Sequence, residues 1–368
     1  MEVTQTRQTE LPEEAEEYCR YQDDVILRVA ALHRASSYVH SVASYRLENG
    51  ECTWRRELPA SSSSSAGPII VSGQLVYTVA SHLLHVNPST GDSIASLDLG
   101  EPLWGPLLSG QDEVFCSTES GLIYSYSVRR HQVSRVTRLY SNFHEACIRG
   151  DLLFAATQSP PRRRFFWQPH RTAAAVHAVD VHRKTARVLM DLGASTAFVS
   201  LSPADGGLLI ARGGTVMRLD LASEVRWSYR LSASRFEQVQ FHHIYKNSIL
   251  VSAGHRLALL DLANGQPFWN HELYQGMDVD SALLRGNFIL FSTGSRGWDH
   301  MFGTGSENYI AVHNIASHMT TTVHTVHSTS HIRLALSGDE VLAMTVVKEL
   351  REHDVIGHTL FMQFTLTE

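Results

Sequence analysis

The chain is poor in the residues that carry most recognisable chemistry. Four cysteines occur in 368 residues, Cys19, Cys52, Cys116 and Cys147. They show no CxxC spacing and no adjacent pair, so neither a zinc site nor a disulfide framework is expected. Lysine is nearly missing: Lys184, Lys246 and Lys348 are the only three, and every other basic residue is arginine. No apolar run approaches the roughly 20 residues that a membrane span needs. Residues 1–11 contain only Met1, Val3 and Leu11 as apolar side chains, which leaves no secretory signal region. An intracellular and reducing location is the simplest expectation, most simply the cytoplasm, with an organelle as the alternative.

Net charge is also scarce outside one segment. Residues 1–24 hold eight acids against Arg7 and Arg20, a net of −6, and the whole chain is −6 as well. The remaining residues therefore carry equal numbers of acids and bases. A neutral body argues against a broad nucleic-acid or anionic-membrane surface, because such binding is driven by neutralising phosphates. The acidic segment 1–24 reads as a flexible, solvated terminus, since like-charge runs resist packing; a docking tail for a basic partner is the alternative.

What the chain has in quantity is a repeated hairpin. Leu83–Leu99 reads LLHVNPSTGDSIASLDL, and Leu257–Leu273 reads LALLDLANGQPFWNHEL. Tyr45–Leu58 and Val216–Leu231 follow the same course: alternating residues, a turn of Asn, Ser, Thr or Gly, then alternation again. That is the hairpin signature. The turn residues are those that reach positive φ or bond their own backbone. Turn centres at Gly50, Gly91, His131, Lys184, Glu224, Gly265 and Ser317 are spaced by 41, 40, 53, 40, 41 and 52 residues. A period of about 40–45 residues made of four short strands marks a propeller blade. The expected fold is all-β: a single β-propeller over 25–368, with seven blades (alternatively eight) and four antiparallel strands in each. Half-units at the two ends, Asp23–Leu27 and His358–Leu366, are expected to share one blade and close the ring, which would remove exposed edges.

Asp261 to Trp269 reads DLANGQPFW. It resembles the leucine–aspartate–x–x–x–glycine–x–x–x–tryptophan pattern of the quinoprotein (PQQ-like) propeller superfamily. Asn87 to Gly91 lacks the following Trp, while Asn49-Gly50 with Trp54 and Asp220 with Trp227 are partial copies. WD-repeat propellers are the rival family, yet Gly297-Trp298-Asp299 holds the only WD pair and lies in an insertion. The resemblance implies a fold and not an activity. Quinoprotein dehydrogenases hold their cofactor beside a vicinal cysteine pair and a calcium ion, in a longer exported chain. This sequence has no such pair, so a non-enzymatic member is expected, with no PQQ, no other cofactor and no metal. The family also includes a scaffold lipoprotein of outer-membrane barrel assembly, which transfers the idea of a scaffold and not its location. Propeller glycosidases need paired carboxylates across a central channel, and the Asp-box of sialidases is absent.

Two insertions account for the long intervals. Residues 158–172, QSPPRRRFFWQPHRT, bring Arg162, Arg163, Arg164 and Arg171 together with Phe165, Phe166 and Trp167 and no acid. Proline at 160, 161 and 169 keeps the segment out of a sheet. Arginine with aromatics is the composition of interface anchors and of single-stranded nucleic-acid stacking sites; a plug folded onto the propeller rim is the alternative. Residues 294–307 are glycine-rich and offer Trp298, Met301 and Phe302 as anchors. Each insertion follows a strand ending in threonine, Thr157 or Thr293, so both interrupt the same connection of the repeat and should mark one working face. His313, His318, His324, His327 and His331 cluster in the last unit, and His242-His243 sit together. His318 and His324 share a strand face while His327 is odd to both. These read as strand and turn histidines, with a metal site as the alternative. The leading functional expectation is a non-catalytic scaffold that holds one or more proteins within a larger intracellular assembly. RNA binding through 158–172 comes second, and an enzyme using a central channel third.

Overall fold

The computed structural model describes residues 2–11, 14–33, 37–59, 66–139, 143–158, 173–194, 199–232, 238–273, 277–295, 306–328, 332–337, 340–351 and 354–367. They form eight four-stranded antiparallel sheets. Sheet 1 contains β2 (Glu14–Tyr21), β3 (Asp24–His33), β4 (Ser37–Arg46) and β5 (Cys52–Glu57). Sheet 2 contains β6 (Ile69–Val71), β7 (Gln74–Val79), β8 (His82–Val86) and β9 (Ser93–Asp98). Sheet 3 follows with β10 (Leu103–Ser109), β11 (Glu113–Thr118), β12 (Leu122–Ser127) and β13 (Gln132–Arg138). In sheet 4 the strands are β14 (Phe143–Arg149), β15 (Leu152–Gln158), β16 (Ala173–Asp180) and β17 (Thr185–Ala194). Sheet 5 has β18 (Val199–Ala204), β19 (Gly207–Arg212), β20 (Thr215–Asp220) and β21 (Val225–Arg230). Sheet 6 has β22 (Val239–Tyr245), β23 (Ser248–Ala253), β24 (Arg256–Asp261) and β25 (Pro267–Glu272). Sheet 7 is built from β26 (Met277–Arg285), β27 (Phe288–Ser295), β28 (Ser306–Asn314) and β29 (Met319–Ser328). Sheet 8 takes β30 (Arg333–Ser337), β31 (Glu340–Arg351) and β32 (Asp354–Thr367), and its fourth strand is β1 (Glu2–Leu11).

Burial explains the order within a sheet. Second strands such as β7, β11 and β23 are buried at five consecutive positions, as expected of a strand covered on both faces. Fourth strands alternate: β5, β21 and β25 each bury a single tryptophan, Trp54, Trp227 or Trp269, between more exposed neighbours. These tryptophans bind sheets together. Trp54 Nε1 donates to the Pro88 carbonyl at 2.7 Å, and Trp227 Nε1 donates to that of Leu262 at 2.9 Å. The glycine that closes each receiving turn lies flat under the indole. A Cβ on Gly91 would stand 2.7 Å from Trp54, and one on Gly265 would stand 2.5 Å from Trp227. Both glycines also have positive φ, 75° and 72°. The turn itself opens on an acceptor: Ser89 N donates to Asn87 Oδ1, Ala263 N to Asp261 Oδ1, and Ala316 N to Asn314 Oδ1. Thus the aspartate of the sequence pattern shapes the turn, the glycine receives the preceding sheet, and the tryptophan enters the following one.

Two compact units are recognised. One holds residues 15–209 and 219–224, the other 1–14, 210–218 and 225–368. In the first, Ile26, Trp54, Tyr77 and Val86 pack sheet 1 onto sheet 2, and Phe115, Phe143, Leu153 and Val179 pack sheet 3 onto sheet 4. In the second, Leu250, Trp269, Val279 and Phe291 join sheets 6 and 7, and Leu290, Val326, Val341 and Phe364 join sheets 7 and 8.

The count of seven is corrected to eight. Seven hairpin turns do link third to fourth strands, with positive φ at Gly50, Gly91, His131, Lys184, Ser223, Gly265 and His318; two of these lie one residue from the expected centres Glu224 and Ser317. Sheet 8 has no such hairpin, because its fourth strand is β1; the expected half-units do not share a sheet, since Asp24–Leu27 lie in β3 of sheet 1 and His358–Leu366 in β32 of sheet 8. The acidic segment therefore differs from a flexible terminus. β1 pairs with β32 from Glu2↔Thr367 to Leu11↔Thr359, burying Thr9 and Leu11. β2 opens sheet 1 with Ala15 buried, and Glu16 pairs with the buried Arg28 at 3.0 Å. Alternation hides these strands in the sequence: the exposed Arg7, Glu10 and Glu16 are interleaved with the buried Thr9, Leu11 and Ala15.

Candidate functional site

The sequence-designated anchors Arg162, Arg163, Arg164, Phe165, Phe166, Trp167 and Arg171, and likewise Trp298, Met301 and Phe302, lie outside the described residues. The strands that carry them are described. Gln158 still belongs to β15, Gly294 and Ser295 to β27, and Ser306 and Glu307 to β28, so both insertions are shorter than the expected bounds. Each joins the second to the third strand of its sheet, β15 to β16 and β27 to β28. The connections are therefore equivalent in the repeat.

Buried hydroxyls fix both roots. Thr157, 4% exposed, contacts the Ala175 carbonyl at 3.3 Å and His177 Nε2 at 3.0 Å. Thr293 donates to the Tyr309 carbonyl at 3.4 Å and accepts from Tyr309 N at 3.1 Å. Threonine suits this position because a β-branched side chain fits the pleat while its hydroxyl bridges to the next strand. Burial pushes His177 below its ordinary range, so it is a neutral partner to Thr157.

Sequence reasoning missed one residue beside the sheet 4 root. Trp104 opens β10 opposite Ser117 and is 42% exposed, and its carbonyl accepts from Ser117 Oγ at 2.6 Å. It stands at the end of sheet 3 where β11 turns into β12, the counterpart of the connection that in sheet 4 holds the insertion. Gly105, at φ 80°, brings β10 against Phe143 so closely that a Cβ would lie 2.8 Å from the Phe143 carbonyl. Phe143 pairs in turn with Thr157. Nearby, the Ser120 and Thr118 hydroxyls hold the Glu101 carboxyl below the usual carboxylate range, helped by Arg138 and Arg135. An exposed tryptophan, a carboxylate kept ionised and the root of an arginine–aromatic segment thus share one edge of sheets 3 and 4. That is the composition of a contact surface.

His242 contacts Ser252 Oγ at 2.7 Å and is lowered to about 4 by burial, while His243 Nδ1 accepts from Leu284 N at 3.1 Å. His313 contacts Thr320 Oγ1 at 2.8 Å, and the His324 ring lies edge-on to Phe364. The His327 side chain and His331 lie outside the described residues. Among the described residues no three His, Cys, Asp or Glu side chains are placed to hold a metal ion.

Consecutive four-stranded antiparallel sheets, the last completed by the N-terminal strand, define an all-β β-propeller of eight blades. Solved structures agree. The chain is similar to the computationally designed Ika8 protein (12% identity over 91% of this chain and 95% of that one, TM-score 0.65). It is also similar to BamB from Moraxella catarrhalis, at 14% identity over 100% and 99% with TM-score 0.61. U3-55K gives 12% identity over 79% and 93%, with TM-score 0.51. At these identities the likenesses bear on the fold alone. No protein-family model matches the chain, and no curated protein matches it in sequence.

Proposed function

We propose that the chain is a non-catalytic propeller scaffold that holds a protein partner within a larger intracellular assembly. The observation that carries this reading is the shared edge of sheets 3 and 4. Trp104 is exposed there, and the insertion bearing Arg162–Arg164 and Phe165–Trp167 departs from the tied Thr157 root. Rigid sheets that present variable connections are how such folds gain binding functions. Aromatic and arginine side chains supply most of the energy at protein interfaces.

The test compares the native chain with Phe165→Ala/Phe166→Ala/Trp167→Ala and with Trp104→Ala, each tagged and purified from its source cells. Loss of the same protein partner in both variants, with melting unchanged, supports the reading. Capture that is destroyed by ribonuclease, weakens steeply with salt and depends on Arg162–Arg164 replaces it with RNA binding. Partners retained by both variants overturn it.

A further inference from the structure

Of the three joints that carry a docking tryptophan in the fourth strand, one departs from the tryptophan–glycine scheme, and it does so with histidine at three positions. The turns of sheets 2, 6 and 7 align as Asn87–Gly91, Asp261–Gly265 and Asn314–His318. The residue before the turn is the buried Val86 or Leu260 in the first two, and it is His313 in sheet 7. The closing glycine, Gly91 or Gly265, becomes His318, held at φ 57° without glycine's freedom. Two residues past the docking tryptophan stand Arg56 and Tyr229 in sheets 1 and 5, and His271 in sheet 6.

These substitutions converge. The His271 ring stacks on Trp269, with centroids 5.7 Å apart and planes 13° apart. His313 lies 4.7 Å from Trp269 and 4.9 Å from His271. His313 is 1% exposed, its Nδ1 engages Thr320, and its Nε2 is buried without a hydrogen-bond partner. The titratable groups facing His313 are His271 from β25 and His318 from the turn. Among the described residues no carboxylate is paired with any of the three. Glu272, next along β25, is turned to His255 and Arg256.

We propose that the joint between sheets 6 and 7 is an acid-sensitive hinge, which opens on proton uptake by this imidazole cluster while the tryptophan–glycine joints stay shut. The closed joint opposes charge on His313, whose pKa burial and the neighbouring His271 and His318 lower from 6.5 to about 4. Opening restores the ordinary value. Proton uptake therefore favours the open form once the pH drops below about 6.5, and the effect is complete near 4. At about pH 5 the two values give an opening equilibrium on the order of ten- to thirtyfold larger than at neutrality. Sheet 7 also carries the second insertion, so acid would act on the blade that presents it. This inference is independent of the scaffold reading.

The test is hydrogen exchange of the full chain at about pH 7.5 and pH 5, corrected for intrinsic rates. Sheets 1 and 2 serve as the control joint in the same molecule. Protection in β25 and β28 should fall at least tenfold at the lower pH, with β5 unchanged. His313→Leu, which installs the residue of sheet 6, should abolish the fall. His318→Gly should reduce it, and this variant keeps the test open should the first misfold. Equal loss at both joints, no loss at either, or an undiminished loss in the folded variants overturns the proposal.

Discussion

Replacing Gly265 with alanine while Trp227 is truncated tests the docking scheme quantitatively. Gly265 sits at φ 72°, where an L-residue costs roughly 1–2 kcal/mol. The added methyl would stand 2.5 Å from the indole, well inside the roughly 3.5–4 Å of a favourable carbon contact. The ring must therefore shift, at a further cost of about 1–3 kcal/mol. Trp227 is 8% exposed, so Trp227→Ala alone should cost about 3–5 kcal/mol. Once the indole is gone that clash is relieved, and the backbone strain remains. The double variant should accordingly be less destabilised than the sum of the singles by about 1–3 kcal/mol. Urea unfolding followed by circular dichroism reads this without relying on tryptophan emission. Additivity within about 0.5 kcal/mol would refute direct docking of Trp227 on Gly265. The same cycle on Gly91 and Trp54 should repeat the result.

Other outcomes follow from the same geometry. His242 is half-buried and its pKa is lowered to about 4, whereas the unfolded chain takes a proton near 6.5. Stability should be full above pH 6.5 and decline as the pH falls toward 4, by up to about 3 kcal/mol, and His242→Gln should flatten that slope in denaturant titrations. Deleting residues 1–11 strips β32 of its outer partner, leaving β31, and removes the buried Leu11, worth roughly 1.5–3 kcal/mol alone. The truncated chain should melt lower and self-associate in size-exclusion chromatography through its bared edge. Trp104→Ala, at a half-exposed position, should change stability by no more than about 1 kcal/mol.

The hairpins were legible because each turn chooses its residues for a local reason. Asp261 must accept from its own backbone, and Gly265 must turn left-handed under an indole. The eighth sheet was hidden because its outer strand is not a hairpin partner. β1 also buries few side chains, among them Thr9 and Leu11. Trp104 lies outside the repeated hairpin turns, in a strand that Gly105 brings against Phe143. The convergence of His271 and His313 joins two sheets and cannot be seen along one strand. Its trace was present all the same, in the exchange of a valine or leucine for His313 and of a glycine for His318.

Cross-linking of the chain to its bound partner inside cells, read by mass spectrometry, would locate the working surface directly. Cross-links gathered on residues 101–104 and 159–172 are expected. Cross-links concentrated instead on the outer strands, around Ile94, Val133, Val188 or Phe268, would contradict a scaffold that works through its second-to-third-strand connections.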